Sequence, residues 1–130
     1  AEYDYYTTTK GVLEKVKAHV GDVDFAVQPE LVSLLSSRNF GRYADEKGEM
    51  KVCFISNNDI TGGNSGSAMF NSKGELLGLA FDGNWEAMGS DILYEPKMQR
   101  TIGVDVRYIL FMIEKYGKAG NLIKELNIIN

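Results

Sequence analysis

A serine ringed by glycines constrains this chain more than any other feature. Thr61-Gly62-Gly63-Asn64-Ser65-Gly66-Ser67 sets three glycines about one hydroxyl, and glycine lets a backbone turn where other residues would clash. The run Val52-Cys53-Phe54-Ile55-Ser56 before it is β-branched and aromatic, as buried strands are. After it, Ser67–Phe70 and Glu75–Phe81 flank the turn signal Asn71-Ser72-Lys73-Gly74, which predicts a β-hairpin. The serine therefore sits on a connection from strand to strand. A phosphate-cradling loop would end in Gly-Lys-Ser/Thr and open a helix, and an esterase elbow also places a helix after its serine; neither pattern is present. Two readings remain. Ser65 is a nucleophile whose tetrahedral oxyanion would meet the peptide N–H groups of Gly63 and Ser65, or the segment is an ordinary Gly/Ser/Asn surface loop.

The rest of the chain supplies a frame for that loop. Pro29-Glu30-Leu31-Val32-Ser33-Leu34-Leu35 predicts a helix opened by proline, with Leu31, Leu34 and Leu35 on one face. Val12, Leu13, Val16 and Val20 predict a short helix over 11–20, ended by Gly21. Residues 22–28 read as a connector and 45–49 as a polar turn. Thr101–Val104 reads as a last strand, and Val106, Ile109, Leu110 and Ile113 as a helix beyond it. That helix is interrupted by Gly117-Lys118-Ala119-Gly120 and followed by a final helical piece with Leu122, Ile123 and Leu126.

Charge and composition narrow the partners. With 14 Lys+Arg against 18 Asp+Glu among 130 residues the net charge is −4. The chain thus lacks the basic footprint of a nucleic-acid or anionic-membrane binder. No apolar run is long enough for a membrane span, and residues 1–10 lack the pattern of a secretion signal. Cys53 is the only cysteine, which excludes an intrachain disulfide and a thiolate zinc cage. Neither a cofactor nor a metal is expected.

The loop and hairpin together resemble the C-terminal barrel of chymotrypsin-fold serine peptidases. The resemblance is narrower when longer stretches are read: Asn57 through Ser67, Phe81-Asp82-Gly83-Asn84-Trp85-Glu86-Ala87-Met88, and Glu95-Pro96 with Gln99-Arg100-Thr101-Ile102. With Phe40–Asp45 upstream and Val104–Tyr108 downstream, the chain resembles the bacterial serine dipeptidyl-peptidases of the dipeptidyl-peptidase 7 and 11 group over nearly its whole length. The implied fold is mostly β with flanking helices, the C-terminal β-barrel half of a two-barrel chymotrypsin-like peptidase ending in a C-terminal helix. Within one domain, residues 1–44 would be a helical and extended lead-in, 45–104 the barrel half with the nucleophile loop, and 105–130 the C-terminal helices.

Carried over residue by residue, the resemblance implies that Ser65 is the nucleophile and that the N–H groups of Gly63 and Ser65 form the oxyanion hole. It further implies that Phe81, Asp82 and Gly83 border the substrate. A dipeptide-releasing enzyme must hold a free α-ammonium, for which a buried carboxylate is the natural partner; Asp82 is the candidate, against a turn-forming Asp before Gly. In this family Arg at the position of Gly83 goes with acidic side chains before the cut bond and Gly with hydrophobic ones. Ala68 departs from relatives that carry proline there, and Asn64 cannot form the ion pair with a newly cut N-terminus that activates zymogens.

The base is missing. A serine needs one within about 2.6 to 3.2 Å, and His19, the only histidine, reads as a solvated or capping residue at a helix end. The resemblance thus implies a fragment of a longer enzyme. Its N-terminal half would carry the catalytic His and Asp, its substrate would be an oligopeptide, its place periplasmic or cell-surface, and its full-length form could assemble as a homodimer. The isolated chain should be inactive. Two alternatives stay open: a barrel half of a periplasmic quality-control endopeptidase, and a non-catalytic peptide-binding module. Trp85 and Glu86 line the cleft or pack, Met69, Met88, Met98 and Met112 read as gap-fillers, and Glu114, Lys115, Lys118 and Lys124 as a solvated helix face. Tyr3, Asp4, Tyr5 and Tyr6 read as an extended segment that joins the missing half.

Overall fold

The computed structural model describes residues 5–89 and 97–129; Tyr3, Asp4, Glu95, Pro96 and the side chain of Met88 lie outside this description. Strand β1 (Tyr6–Thr8) runs directly into α1 (Thr9–Ala18). The helix begins two residues before the predicted Gly11 because Thr8 is still extended, while the N–H of buried Thr9 donates to the carbonyl of Met50 at 3.0 Å. It ends before His19, which takes the C-cap position and stacks its ring on Phe25 with centroids 4.0 Å apart. Helix α2 (Pro29–Ser36) has proline and Glu30 in its first turn, as predicted, and buries Leu35 with Leu31 and Leu34 half-buried beside it.

The strands β2 (Lys51–Ser56), β3 (Ala68–Phe70), β4 (Leu76–Gly83) and β5 (Thr101–Asp105) join β1 in one antiparallel sheet of order β1-β2-β5-β4-β3. The β3–β4 hairpin turns at Asn71, whose N–H donates to the Glu75 carbonyl at 3.0 Å. One expectation needs correction. Among the described residues the sheet is open, with β1 and β3 as its edges, so these strands do not close into a barrel. Tyr6, at the end of the segment read as extended, pairs with Phe54 and so enters the sheet as part of its edge strand.

One face of the sheet is laid on glycine. Phe54, Gly103 and Ala80 share a register level on β2, β5 and β4. A Cβ on Gly103 would lie 2.7 Å from Met69 Sδ and 2.8 Å from Phe54 Cζ, and one on Gly78 would run into the carbonyl oxygen of Val104. The bare backbone lets the Phe54 ring and the Met69 thioether settle onto the strands.

The larger core is helical. Leu35, Phe40, Tyr43, Met50, Leu110, Phe111 and Ile123 form one buried cluster, in which Phe111 meets Phe40 and Tyr43 edge-on with centroids 5.7 and 6.2 Å away. Helix α3 (Val106–Phe111) supplies Phe111 and Leu110; buried Asp105 caps it, accepting the Arg107 N–H at 2.9 Å and its guanidinium at 2.8 and 2.6 Å. The predicted continuation winds as a π turn (Met112–Tyr116) before α4 (Gly120–Lys124). Glu114 is not a solvated face residue: Tyr43 donates its hydroxyl to Glu114 Oε2 at 2.7 Å. Among the methionines, Met69 is buried but Met98 is exposed, which removes it from the gap-fillers. No helix of the described residues is long and apolar enough to cross a membrane.

Candidate active site

The loop after β2 is fastened at three levels. Its stem is tied to β5, where buried Thr101 donates its hydroxyl to the Asn58 carbonyl at 2.6 Å. Its turn is closed by Asn64, whose Oδ1 accepts the Thr61 N–H at 2.8 Å and whose carbonyl accepts the Ser67 N–H at 2.9 Å. Its exit is stitched to β4 through Gly66 N–H to Ala80 O at 2.7 Å and Ala80 N–H to Ser67 O at 2.8 Å. Gly63 and Gly66 take φ of +97° and +86°, a region where only glycine is unstrained. Glycine is there because the turn demands it.

Ser65 stands exposed at the top of this turn. Its hydroxyl donates to the Phe81 carbonyl at 3.4 Å, beyond the usual 2.5 to 3.0 Å of an O–H···O bond. Phe81 is available because β4 bulges: Ala80 pairs with Gly103 and Asp82 with Ile102, leaving Phe81 between them unpaired. The N–H groups of Asn64, Gly66 and Ser67 are spent inside the loop and on β4, whereas those of Gly63 and Ser65 donate to no acceptor among the described residues. The turn that carries Gly63 and Ser65 thus meets Phe81 through the Ser65 hydroxyl.

Asp82 follows the bulge. Its carboxylate is exposed rather than buried, and Oδ1 accepts the Gly83 N–H at 2.8 Å. That is the turn-forming bond weighed against an ammonium site; Oδ2 stays uncommitted among the described residues. At Gly83 a Cβ would lie 2.8 Å from the Cβ of Ala87 in the 3-10 turn Trp85–Gly89, so the turn leaves room for glycine alone. Trp85 is 81% exposed and packs in no core of the described residues. His19 ends α1 against Phe25, and no base touches the Ser65 hydroxyl among the described residues. No group of three or more His, Cys, Asp or Glu among them is placed to hold a metal. The thiol of Cys53, half-buried in β2, is pushed up in pKa by burial and is a poor nucleophile.

One residue escaped the sequence reading. Asn84, directly after Gly83, donates from Nδ2 to the Met98 carbonyl at 2.8 Å and accepts the Arg100 N–H on Oδ1 at 2.9 Å. An Asn following a strand-ending Asp-Gly signals a turn, but not partners that lie 14 and 16 residues onward.

Comparison with known proteins places the chain among peptidases: the family model described as Peptidase S46 matches residues 1–128. The chain belongs to the peptidase S46 family. It is 59% identical over 129 residues to dipeptidyl-peptidase 7 of Porphyromonas endodontalis, covering 99% of this chain and 15% of that protein. It is 47% identical over 127 residues to the Asp/Glu-specific dipeptidyl-peptidase of Capnocytophaga gingivalis, covering 98% of this chain and 18% of the relative. Among solved structures, Porphyromonas endodontalis DPP11 in complex with the dipeptide Arg-Glu superimposes with a TM-score of 0.90 at 43% identity, over 96% of this chain and 18% of that one. The chain therefore spans less than a fifth of the length of these relatives. The resemblance to the dipeptidyl-peptidase 7 and 11 group, read from the longer motifs, stands.

Proposed function

We propose that this chain is the nucleophile-bearing part of a serine exopeptidase that releases dipeptides from the N-terminus of oligopeptides through an acyl-enzyme. The observation that carries the reading is the Ser65 hydroxyl, exposed on a glycine turn and lying against the Phe81 carbonyl, so that nucleophile and substrate-bordering strand are one structure. The family and the named dipeptidyl-peptidases support it. In this reading Ser65 Oγ attacks the carbonyl of the second residue and its proton passes to a histidine supplied by the remainder of the enzyme, oriented by an Asp. The uncommitted N–H groups of Gly63 and Ser65 take the oxyanion. The proton then goes to the leaving amine, and water releases the dipeptide.

Asp82 Oδ2 takes the substrate's α-ammonium, with burial of that pair completed by the part of the enzyme outside this chain. Gly83, backed by Ala87, leaves a smooth wall without charge, which favours a hydrophobic residue before the cut bond. In the whole enzyme the open sheet becomes half of a two-barrel chymotrypsin-like fold, acting in the periplasm or at the cell surface. The test uses full-length enzyme and a fluorogenic dipeptide with a free N-terminus and a hydrophobic second residue. Ser65→Ala should lower kcat/KM by about 10³-fold or more, and retained turnover would sink the assignment. Asp82→Ala should erase the preference for free over N-acetylated substrate; an unchanged ratio removes its role.

A further inference from the structure

The end of β4 is fastened from beyond the strand as well as along it. Beyond the bulge, Asp82 and Gly83 pair with Ile102 and Thr101, and the chain then departs into the 3-10 turn. Asn84 stands at that point of departure and is fixed on three sides. Its N–H donates to the Arg100 carbonyl at 2.9 Å, its side-chain amide donates to the Met98 carbonyl at 2.8 Å, and its side-chain oxygen accepts the Arg100 N–H at 2.9 Å. Its own carbonyl accepts the Ala87 N–H at 2.9 Å, which sets Ala87 against Gly83. The segment it grips is itself braced: the Arg100 guanidinium donates to the carbonyls of Gln99 at 2.7 Å and Lys97 at 3.1 Å. An amide sets a donor and an acceptor on two atoms of one short planar head and can make both side-chain bonds at once; a carboxylate cannot donate, and a hydroxyl must do both through a single oxygen.

We infer that Asn84 is a positioning residue for substrate: it locks the Asp82–Gly83 strand end to the 98–100 segment, so that the carboxylate and the Gly83 wall keep one placement relative to Ser65. This rests on the reading of Asp82 and Gly83 given above. Ser65 itself is held by other bonds, those of Asn64, Gly66 and Ala80. The two halves of the site share β4 and β5 but are fixed by different bonds, and a variant at 84 should loosen substrate placement while sparing the nucleophile.

The experiment compares full-length wild type, Asn84→Ala, Asn84→Asp and Asp82→Ala by dipeptide kinetics, by the rate at which a fluorophosphonate labels Ser65, and by thermal unfolding. Labelling needs the nucleophile, its base and the oxyanion donors but no α-ammonium. Asn84→Ala should raise KM for the free dipeptide about tenfold and shrink the free-to-acetylated preference, with labelling within about twofold of wild type. Asn84→Asp, which keeps the acceptor for Arg100 and loses the donor to Met98, should fall between the two. An unchanged KM in folded Asn84→Ala, while Asp82→Ala raises it, overturns the inference and leaves the site reading intact. A parallel fall of labelling, turnover and melting temperature also overturns it, as the mark of a purely structural residue. Were Asp82→Ala itself without effect, the reading of the substrate strand would fail, and the inference with it.

Discussion

Tyr43 shows how one residue joins two parts of the chain. It lies 2% exposed in the helical core, and its hydroxyl reaches Glu114 on the π turn, 71 positions away in sequence. Burial first, then the bond to Glu114, pushes its phenol up to about 12, while the same bond, followed by that from Lys115, holds the Glu114 carboxyl below the usual range. The signs follow from linkage. A depressed carboxyl contributes stability that is present above its unfolded value, about 4.3, and is lost as pH falls through its lower folded value. A raised phenol contributes stability present below its unfolded value near 10, and lost as pH rises from there through about 12. Tyr43→Phe should therefore cost about 1 to 2 kcal/mol at neutral pH. The gap to wild type should narrow on acidification below about pH 4, as thermal unfolding followed across pH would show.

At the level of elements, the contact between β4 and β5 sets the sharpest tolerance limit. A methyl on Gly78 meets the backbone carbonyl of Val104, which cannot swing aside, whereas one on Gly103 meets the ends of the Met69 and Phe54 side chains, which can. Gly78→Ala should cost about 3 kcal/mol or more and Gly103→Ala about 1 to 3, an order that urea midpoints of the two variants would check. Much of this layer was legible from sequence. The apolar runs marked β2, the hairpin and β5, proline marked the start of α2, and the glycine-framed serine marked the loop. Other features were not. The π turn has no period of its own to detect, β1 is only three residues long, and the bulge at Phe81 arises from pairing with β5. The clamp at Asn84 was hidden for the same reason, since its partners are near only after folding, and exposure of the Asp82 carboxylate likewise depends on what covers it.

At the scale of the molecule, among the described residues, the sheet ends in two edges, and the site has a hydroxyl, uncommitted N–H groups and no base beside them. The isolated chain should accordingly release no dipeptide above background where the full-length enzyme does. Without its base, what is left is at most the 10³- to 10⁴-fold advantage over water that binding and an oxyanion hole give, and a fluorogenic assay of both proteins side by side would measure this. The length and weakness of the Ser65–Phe81 contact also bear on speed. A proton parked on a strand carbonyl at 3.4 Å is cheaply withdrawn, and rotation of an exposed side chain takes picoseconds to nanoseconds. Arming the proposed nucleophile is then a rotamer hop rather than a rearrangement, and the tempo of the proposed turnover would belong to acylation, hydrolysis or product departure.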